Sequence, residues 1–462
     1  MRYRNVKTRF VTLGLAGLGA ACLGLTACGG GSSDDGNSLG GDSGGGSSEN
    51  GDSIDGDSGA GEDFPATMLF WADDGNVNEE PWLSDGSQGG TELLKNIAGS
   101  GAGSNPTFST ESFILVDGSV FFAASTPGSG NELWKTDGTR DGTERVADIN
   151  PGGGGSFPQY LIGLDGTLFF SADDGSAGRE LWKSNGTGGV GNGTTQVVDI
   201  NKGGGSSVER LTIFKDELFF SADDGTSGAE LWKSDGTGGV GNGTSRVADI
   251  NGSGGSEPNS LTVFDGELFF SAEDGASGAE LWKSDGTGGV GNGTSRVADI
   301  NENGSSNPFV LTVFGGKLFF SADNNTSGFE LWKTDGTGGV GNGTTQVADI
   351  NPNGSSFPDW LTVFDGELFF NADDGQSGSE LWKTDGTDGI GNGTTQVSDF
   401  NGNIGSVPTN LTVFDGELFF SASDSRGREL WKNDGTASGT EQVKDINTGF
   451  SGSSPDNITA LP

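Results

Sequence analysis

Eight tryptophans set the period of this chain. Trp82, Trp134, Trp182, Trp232, Trp282, Trp332, Trp382 and Trp431 recur about every 50 residues, and five of the seven intervals lie within one residue of that value. A fixed period of this length is the mark of a repeat architecture. One copy, from Leu261, reads LTVF, DG, ELFFSA, EDGASG, AELWKSD, GTGGVGNG, TSRVADI and then a ten-residue connector. Short segments rich in β-branched and aromatic residues alternate with Gly, Asp, Asn and Ser, which predicts four strands joined by hairpins. Helix start and stop signals are absent.

The strand texts say how the units pack. In ELFFSA the adjacent Phe269 and Phe270 point to opposite faces, so both faces of the sheet must be buried. A four-stranded sheet covered on both faces and repeated radially is a propeller blade. The period matches the kelch-type blade and is too long for one coil of a β-helix. The expected fold is all-β, an eight-bladed β-propeller of four-stranded antiparallel blades. The first unit begins at a second-strand text, Met68 to Asp73, with no LTVF equivalent before it. Residues 455–461 align position by position with 258–264, so a C-terminal inner strand is expected to pair with the N-terminal blade and close the ring.

Three segments are expected: 1–27, a lipoprotein signal peptide; 28–63, an acylated cysteine and tether; and 64–462, the propeller. Arg2, Arg4, Lys7 and Arg9 precede an apolar, glycine-rich run that ends in Leu25-Thr26-Ala27-Cys28. That tetrapeptide resembles the bacterial lipobox, which implies acylation of Cys28. Gly29 after the cysteine implies, by the same resemblance, sorting to the outer membrane. Removing residues 1–27 takes four basic and no acidic residues and leaves 20 Lys plus Arg against 65 Asp plus Glu, a net charge of −45. Residues 29–63 are almost wholly Gly, Ser, Asp, Asn and Glu, a composition that cannot bury enough surface to order itself.

Composition excludes several chemistries. The chain has no histidine, so neither a Ser-His-Asp nor a Cys-His centre can be built from it. Cys22 and Cys28 are its only cysteines, which removes disulfides and thiolate metal sites from the repeats. A net charge of −41 argues against a nucleic-acid partner.

ELWKSDGT at 230–237 and 280–287, ELWKTDGT at 132–139, 330–337 and 380–387, ELWKSNGT from Glu180 and ELWKNDGT from Glu429 resemble the ELWxxDGT repeat family. The first unit departs from the pattern, reading EPWLSDGS from Glu80. The family comprises secreted or lipid-anchored bacterial proteins of unassigned activity. The resemblance therefore implies a repeat type and a location and no substrate.

Candidate sites are few. GGVGNG, as in 238–243, superficially matches a phosphate loop, but it lies between two strands where a dinucleotide fingerprint needs a helix, so it reads as a hairpin loop. Asp235 in the DGT turn reads as an Asx-turn. The abundant acids could serve a glycosidase, yet they recur in near-identical copies where a catalytic pair would be singular. No catalytic residue is nominated. The loop between second and third strands and the connector from fourth to first lie at the same end of a blade. This gathers Asp173, Asp174, Asp223, Asp224, Glu230, Asp249, Glu273, Asp274, Asp373 and Asp374 at one rim, hard oxygen ligands suited to Ca²⁺, although acids and glycines also shape tight turns and keep a protein soluble. Tyr160, Phe309 and Trp360, in the variable connector before the first strand, are candidate ligand-facing aromatics, with Trp71 as a fourth.

The functional expectation is a non-enzymatic binding or scaffolding module, monomeric and lipid-anchored at the outer membrane on its periplasmic or surface face, with a protein or glycan ligand. The alternatives are a periplasmic envelope-assembly scaffold, a role known for other eight-bladed lipoprotein propellers, and a carbohydrate-active enzyme.

Overall fold

A computed structural model describes residues 67–99, 102–104, 113–399, 401–448 and 451–462. Cys28, the tether and the leader lie outside the described residues. Among the described residues, thirty-two strands form eight four-stranded antiparallel sheets. The expected eight-bladed propeller is the observed fold. Blades 3 to 8 span 159–198, 209–248, 259–298, 309–348, 359–398 and 409–444, and blade 2 spans 114–147. In blade 5 the strands are Asn259–Phe264, Glu267–Glu273, Ala279–Ser284 and Thr294–Ala298, innermost to outermost.

Blade 1 joins both ends of the described chain. Asp456–Leu461 is its innermost strand, paired with Thr67–Asp73 through Thr67 to Leu461, Met68 to Ala460 and Leu69 to Thr459. Leu461 packs with Leu69, Phe113 and Phe122 toward blade 2, and Ile458 with Phe419 and Val443 toward blade 8. One terminal strand thus contributes to two interfaces, and no edge of the ring stays open.

Eight apolar clusters fill the eight blade interfaces. Between blades 4 and 5, Phe219, Leu231, Val247 and Ile250 meet Leu268, Phe270, Ala272 and Trp282. The adjacent Phe269 turns the other way and packs toward blade 6. The two-sided burial read from ELFFSA is present, and each such side chain contributes about 1.5–3 kcal/mol.

The innermost strands of blades 2 through 8 and then 1 touch in succession around the axis. Each described one except that of blade 2 carries the same irregularity. Asn259 pairs with Ser271 and Thr262 with Phe269, so three steps on one strand oppose two on the other, a β-bulge. The bulged residue is left-handed: Tyr160, Arg210, Ser260, Val310, Trp360, Asn410 and Asn457 have φ between 51° and 61°. Beyond the bulge, threonines link neighbours, with Thr362 Oγ1 donating to the Leu411 carbonyl at 3.1 Å and Thr412 Oγ1 to that of Ile458 at 2.6 Å.

Candidate functional site

The repeated motif serves the scaffold, position by position. In the blade 5 copy, Leu281 and Trp282 fill interfaces on opposite faces. Lys283 Nζ reaches the carbonyl of Gly336 in blade 6 at 3.2 Å, and Ser284 Oγ shares a hydrogen bond with Thr294 Oγ1 at 2.9 Å. Asp285 Oδ1 accepts the Thr287 amide at 2.8 Å and hydroxyl at 2.7 Å, the expected Asx-turn, and these two donors hold its carboxyl below the usual range. Gly286 has φ 77°, and a Cβ there would come within 2.9 Å of the Phe219 ring of blade 4.

Glu280, at the head of the motif, is fully buried. It accepts the Ile300 amide at 2.9 Å, the Ser306 amide at 2.9 Å and the Ser306 hydroxyl at 2.6 Å, which folds the connector back onto the third strand. The Ser306 carbonyl then accepts the Asp323 amide of blade 6 at 2.9 Å. The serine is thus held by one blade and grips the next. The same serine-to-next-blade bond occurs at all eight interfaces, from Ser104, Ser156, Ser206, Ser256, Ser306, Ser356, Ser406 and Ser453. Burial pushes Glu180, Glu230, Glu280, Glu330 and Glu380 up to about 7, against the opposing pull of their serine and amide donors.

This geometry accounts for the acids expected to ligate Ca²⁺. Glu230 is the blade 4 equivalent of Glu280, closed over by Ile250 and Ser256, and does not join its neighbouring aspartates. Asp173, Asp223 and Asp373 each accept an amide two residues on, from Gly175, Gly225 and Gly375. Asp174, Asp224, Asp274 and Asp374 each take two turn amides on one oxygen. Burial works upward on this second set, but the turn donors outweigh it and lower all four. Asp249 pairs with Arg246 at 3.2 Å, and the Glu273 amide donates to the Ser256 carbonyl. Among the described residues, no three carboxylates converge on one point.

What remains after the motif is absorbed is a set of variable positions above the serine grips. In every blade but blade 2, three of them lie at this connector rim: the bulged residue, the residue three before it, and the residue before the buried glutamate. The second series runs Phe157, Ser207, Glu257, Asn307, Phe357, Val407 and Ser454, all with φ between 44° and 50°. The third includes Arg179, Ala229, Ala279, Phe329, Ser379 and Arg428. Side chains here meet across blades. The Arg210 guanidinium lies 5.4 Å from the Tyr160 ring centre, and Asn410 Nδ2 donates to Asp456 Oδ1 at 3.1 Å. Glu257 is raised by burial and then by the charges of Glu209, Asp223 and Glu273. Burial pushes Asp359 up to about 6, opposed by the Trp360 amide at 2.7 Å.

Four placements differ from the sequence reading. Tyr160, Phe309 and Trp360 lie within the innermost strands Gln159–Leu164, Phe309–Phe314 and Asp359–Phe364, because the bulge extends pairing two residues before LTVF. Tyr160 is buried, and Phe309 and Trp360 are partly so. Trp71 is core: it is 1% exposed and stacks on Phe113 at 5.5 Å. The residues before the bulge and before the motif glutamate were missed. Their signal was position-specific variation between otherwise identical copies.

Comparison with known protein families and with curated proteins finds no match. Solved structures do resemble the chain. Puromycin hydrolase is 14% identical, with 72% of this chain and 53% of that one covered at a TM-score of 0.44. Prolyl oligopeptidase B from Galerina marginata is 10% identical, with 76% and 50% covered at 0.48. The β-propeller domain of the Trilobed protease from Pyrococcus furiosus is 11% identical, with 73% and 98% covered at 0.41. The chain spans about half the length of the first two. These neighbours are propeller-bearing hydrolases and peptidases, which corrects the expectation of a non-enzymatic binding or scaffolding module. The error has a physical source, since a propeller alone does not separate a free-standing platform from a domain that accompanies an enzyme.

Proposed function

We propose that this propeller handles polypeptide in company with a peptidase, holding an extended segment at its connector rim. The observation that carries the reading is the ring of seven left-handed, non-glycine bulge residues around the axis, different in nearly every blade and each seated on the same buried serine–glutamate grip. Left-handed backbone at Val310 or Trp360 costs about 1–2 kcal/mol, and such strain gathers where side chains must be aimed. The rim supplies aromatic faces, carboxylates and amides, the chemistry that meets peptide side chains and backbone. Hydrolysis is assigned to another catalytic domain or subunit, because a chain without histidine cannot supply the imidazole of a serine triad. Anchoring through Cys28 is proposed on the lipobox resemblance, and Cys28→Ser should move the protein to the soluble fraction.

Photo-crosslinking of extended peptides to the purified propeller tests the reading. Adducts should map to the connector rim, around 157–160, 207–210 and 357–360. Adducts confined to the glycine-rich loops, or none at saturating peptide, would remove it.

A further inference from the structure

The exposed apolar side chains of the connector rim are unevenly placed. Phe157 is 40% exposed, Phe357 55%, Ile404 81% and Val407 37%, and three of these four lie on the connectors after blades 6 and 7. Phe357 stacks on Phe329 with ring centres 5.4 Å apart and planes 23° apart. Phe309 meets Phe329 edge-on, at 5.7 Å and 64°. The three rings come from three segments of one repeat: an innermost strand, the start of a third strand and a connector. In the flanking repeats the positions of Phe329 and Phe357 hold Ala279 with Asn307 and Ser379 with Val407, so neither neighbour repeats the stack.

This arrangement gains little for the fold. Phe357 holds φ 48°, a backbone state that Ser207 and Asn307 occupy at the equivalent positions, and the residue is more than half exposed. A stacked aromatic pair left open presents a flat apolar face. Carboxylates frame it: Asp323 lies opposite Phe329 across the strand pair, the Asp373 amide donates to the carbonyl of Ser356 beside Phe357, and Asp359 follows two residues on. An apolar shelf with a negative frame, on a chain of net charge −41, is complementary to cationic chains that also carry a flat side chain.

We infer that Phe309, Phe329 and Phe357 form a docking shelf for a cationic polypeptide segment, whose proline or aromatic side chain stacks on Phe357 while an adjacent lysine or arginine faces Asp323, Asp359 and Asp373. This inference rests on the polypeptide reading above and names its substrate class. The acidic sector at Glu209, Glu257 and Glu273 then attracts the segment without choosing its sequence.

Fluorescence anisotropy with short labelled peptides of repeated Arg-Pro, Arg-Ser or Glu-Pro decides it, with maltohexaose as the uncharged ring-bearing competitor. Arg-Pro should bind, Arg-Ser about tenfold more weakly and Glu-Pro not measurably. Phe357→Ser should weaken Arg-Pro about tenfold with an unchanged melting temperature, since the lost contact lies outside the blade cores. Arg-Pro binding that Phe357→Ser and Phe329→Ala leave unaltered removes the shelf but keeps the polypeptide reading. No peptide binding to the unaltered protein removes both. Displacement of Arg-Pro by maltohexaose at lower concentration than by unlabelled peptide replaces the polypeptide with a glycan.

Discussion

The two rims of the ring are built on opposite rules. At the connector rim a constant buried device, glutamate with serine, lies beneath side chains that change from blade to blade. At the turn rim five of the eight copies are alike out to the tips, where Val190, Val240, Val290, Val340 and Ile390 are each about half exposed on near-identical glycine-rich loops. The contrast shows where a repeat can vary. Turn-rim backbone depends on its own residues, on Gly286 at φ 77° and Asp285 closing its Asx-turn, so substitution there changes the loop itself. Connector-rim backbone is held from below by Glu280 and Ser306, so the residue above is released to differ.

Both rims require a closed ring, so the largest effect should come from the terminal strand. Deleting residues 458–462 removes the Met68–Ala460 and Leu69–Thr459 pairing and strips Ile458 and Leu461 from two cores. A loss of several kcal/mol, read by thermal melting, and association into oligomers are expected. An unchanged, monomeric protein would mean that closure supports neither rim.

Next comes pH, which should act through the connector rim. The grip glutamates have folded pKa values near 7 against 4.5 for a free side chain, so the folded state binds the extra proton between those values. Their contribution is full below about pH 4.5, falls as pH rises through 7 and is flat above it. Five such groups act in the same direction, so their effects on stability add. The turn aspartates run the other way: lowered in the fold, they lose stability only as pH drops below the ordinary carboxylate range. Melting temperature should therefore be higher at pH 5 than at pH 8, and Glu280→Gln should flatten that slope.

Single substitutions sharpen the contrast further. Glu280→Ala strands the Ile300 amide and both Ser306 donors in the interior, and about 2–4 kcal/mol should be lost. Asp285→Ala, its counterpart at the solvent-facing turn, should cost much less. Equal losses in chemical denaturation would erase the distinction between the rims.

Much of this fold was legible because the repeat text carries the packing. Phe269 beside Phe270 announces two buried faces, and the alignment of 455–461 with 258–264 announces the closing strand. The site was less legible for particular reasons. Glu230 sits near Asp223 and Asp224 in the one-letter pattern, which groups the three, yet its partner is Ser256, 26 residues on. The same spacing recurs for Glu280 with Ser306 and Glu330 with Ser356, a signal visible only when glutamate and serine are counted together. The bulge had no signal, because non-glycine residues as different as Tyr160, Val310 and Asn410 hold the positive φ that composition assigns to glycine. Lys283 looks like an ordinary solvated charge until the next blade brings the Gly336 carbonyl to it.

Hydrogen–deuterium exchange of the propeller with and without the Arg-Pro peptide tests the division between a constant scaffold and a variable polypeptide-holding rim. The account predicts slower exchange on binding at 157–160, 207–210, 257–260 and most strongly 357–360, with no change at 238–243 and 288–293. Protection centred on those glycine-rich loops, with the connector rim unaltered at saturating peptide, would contradict it.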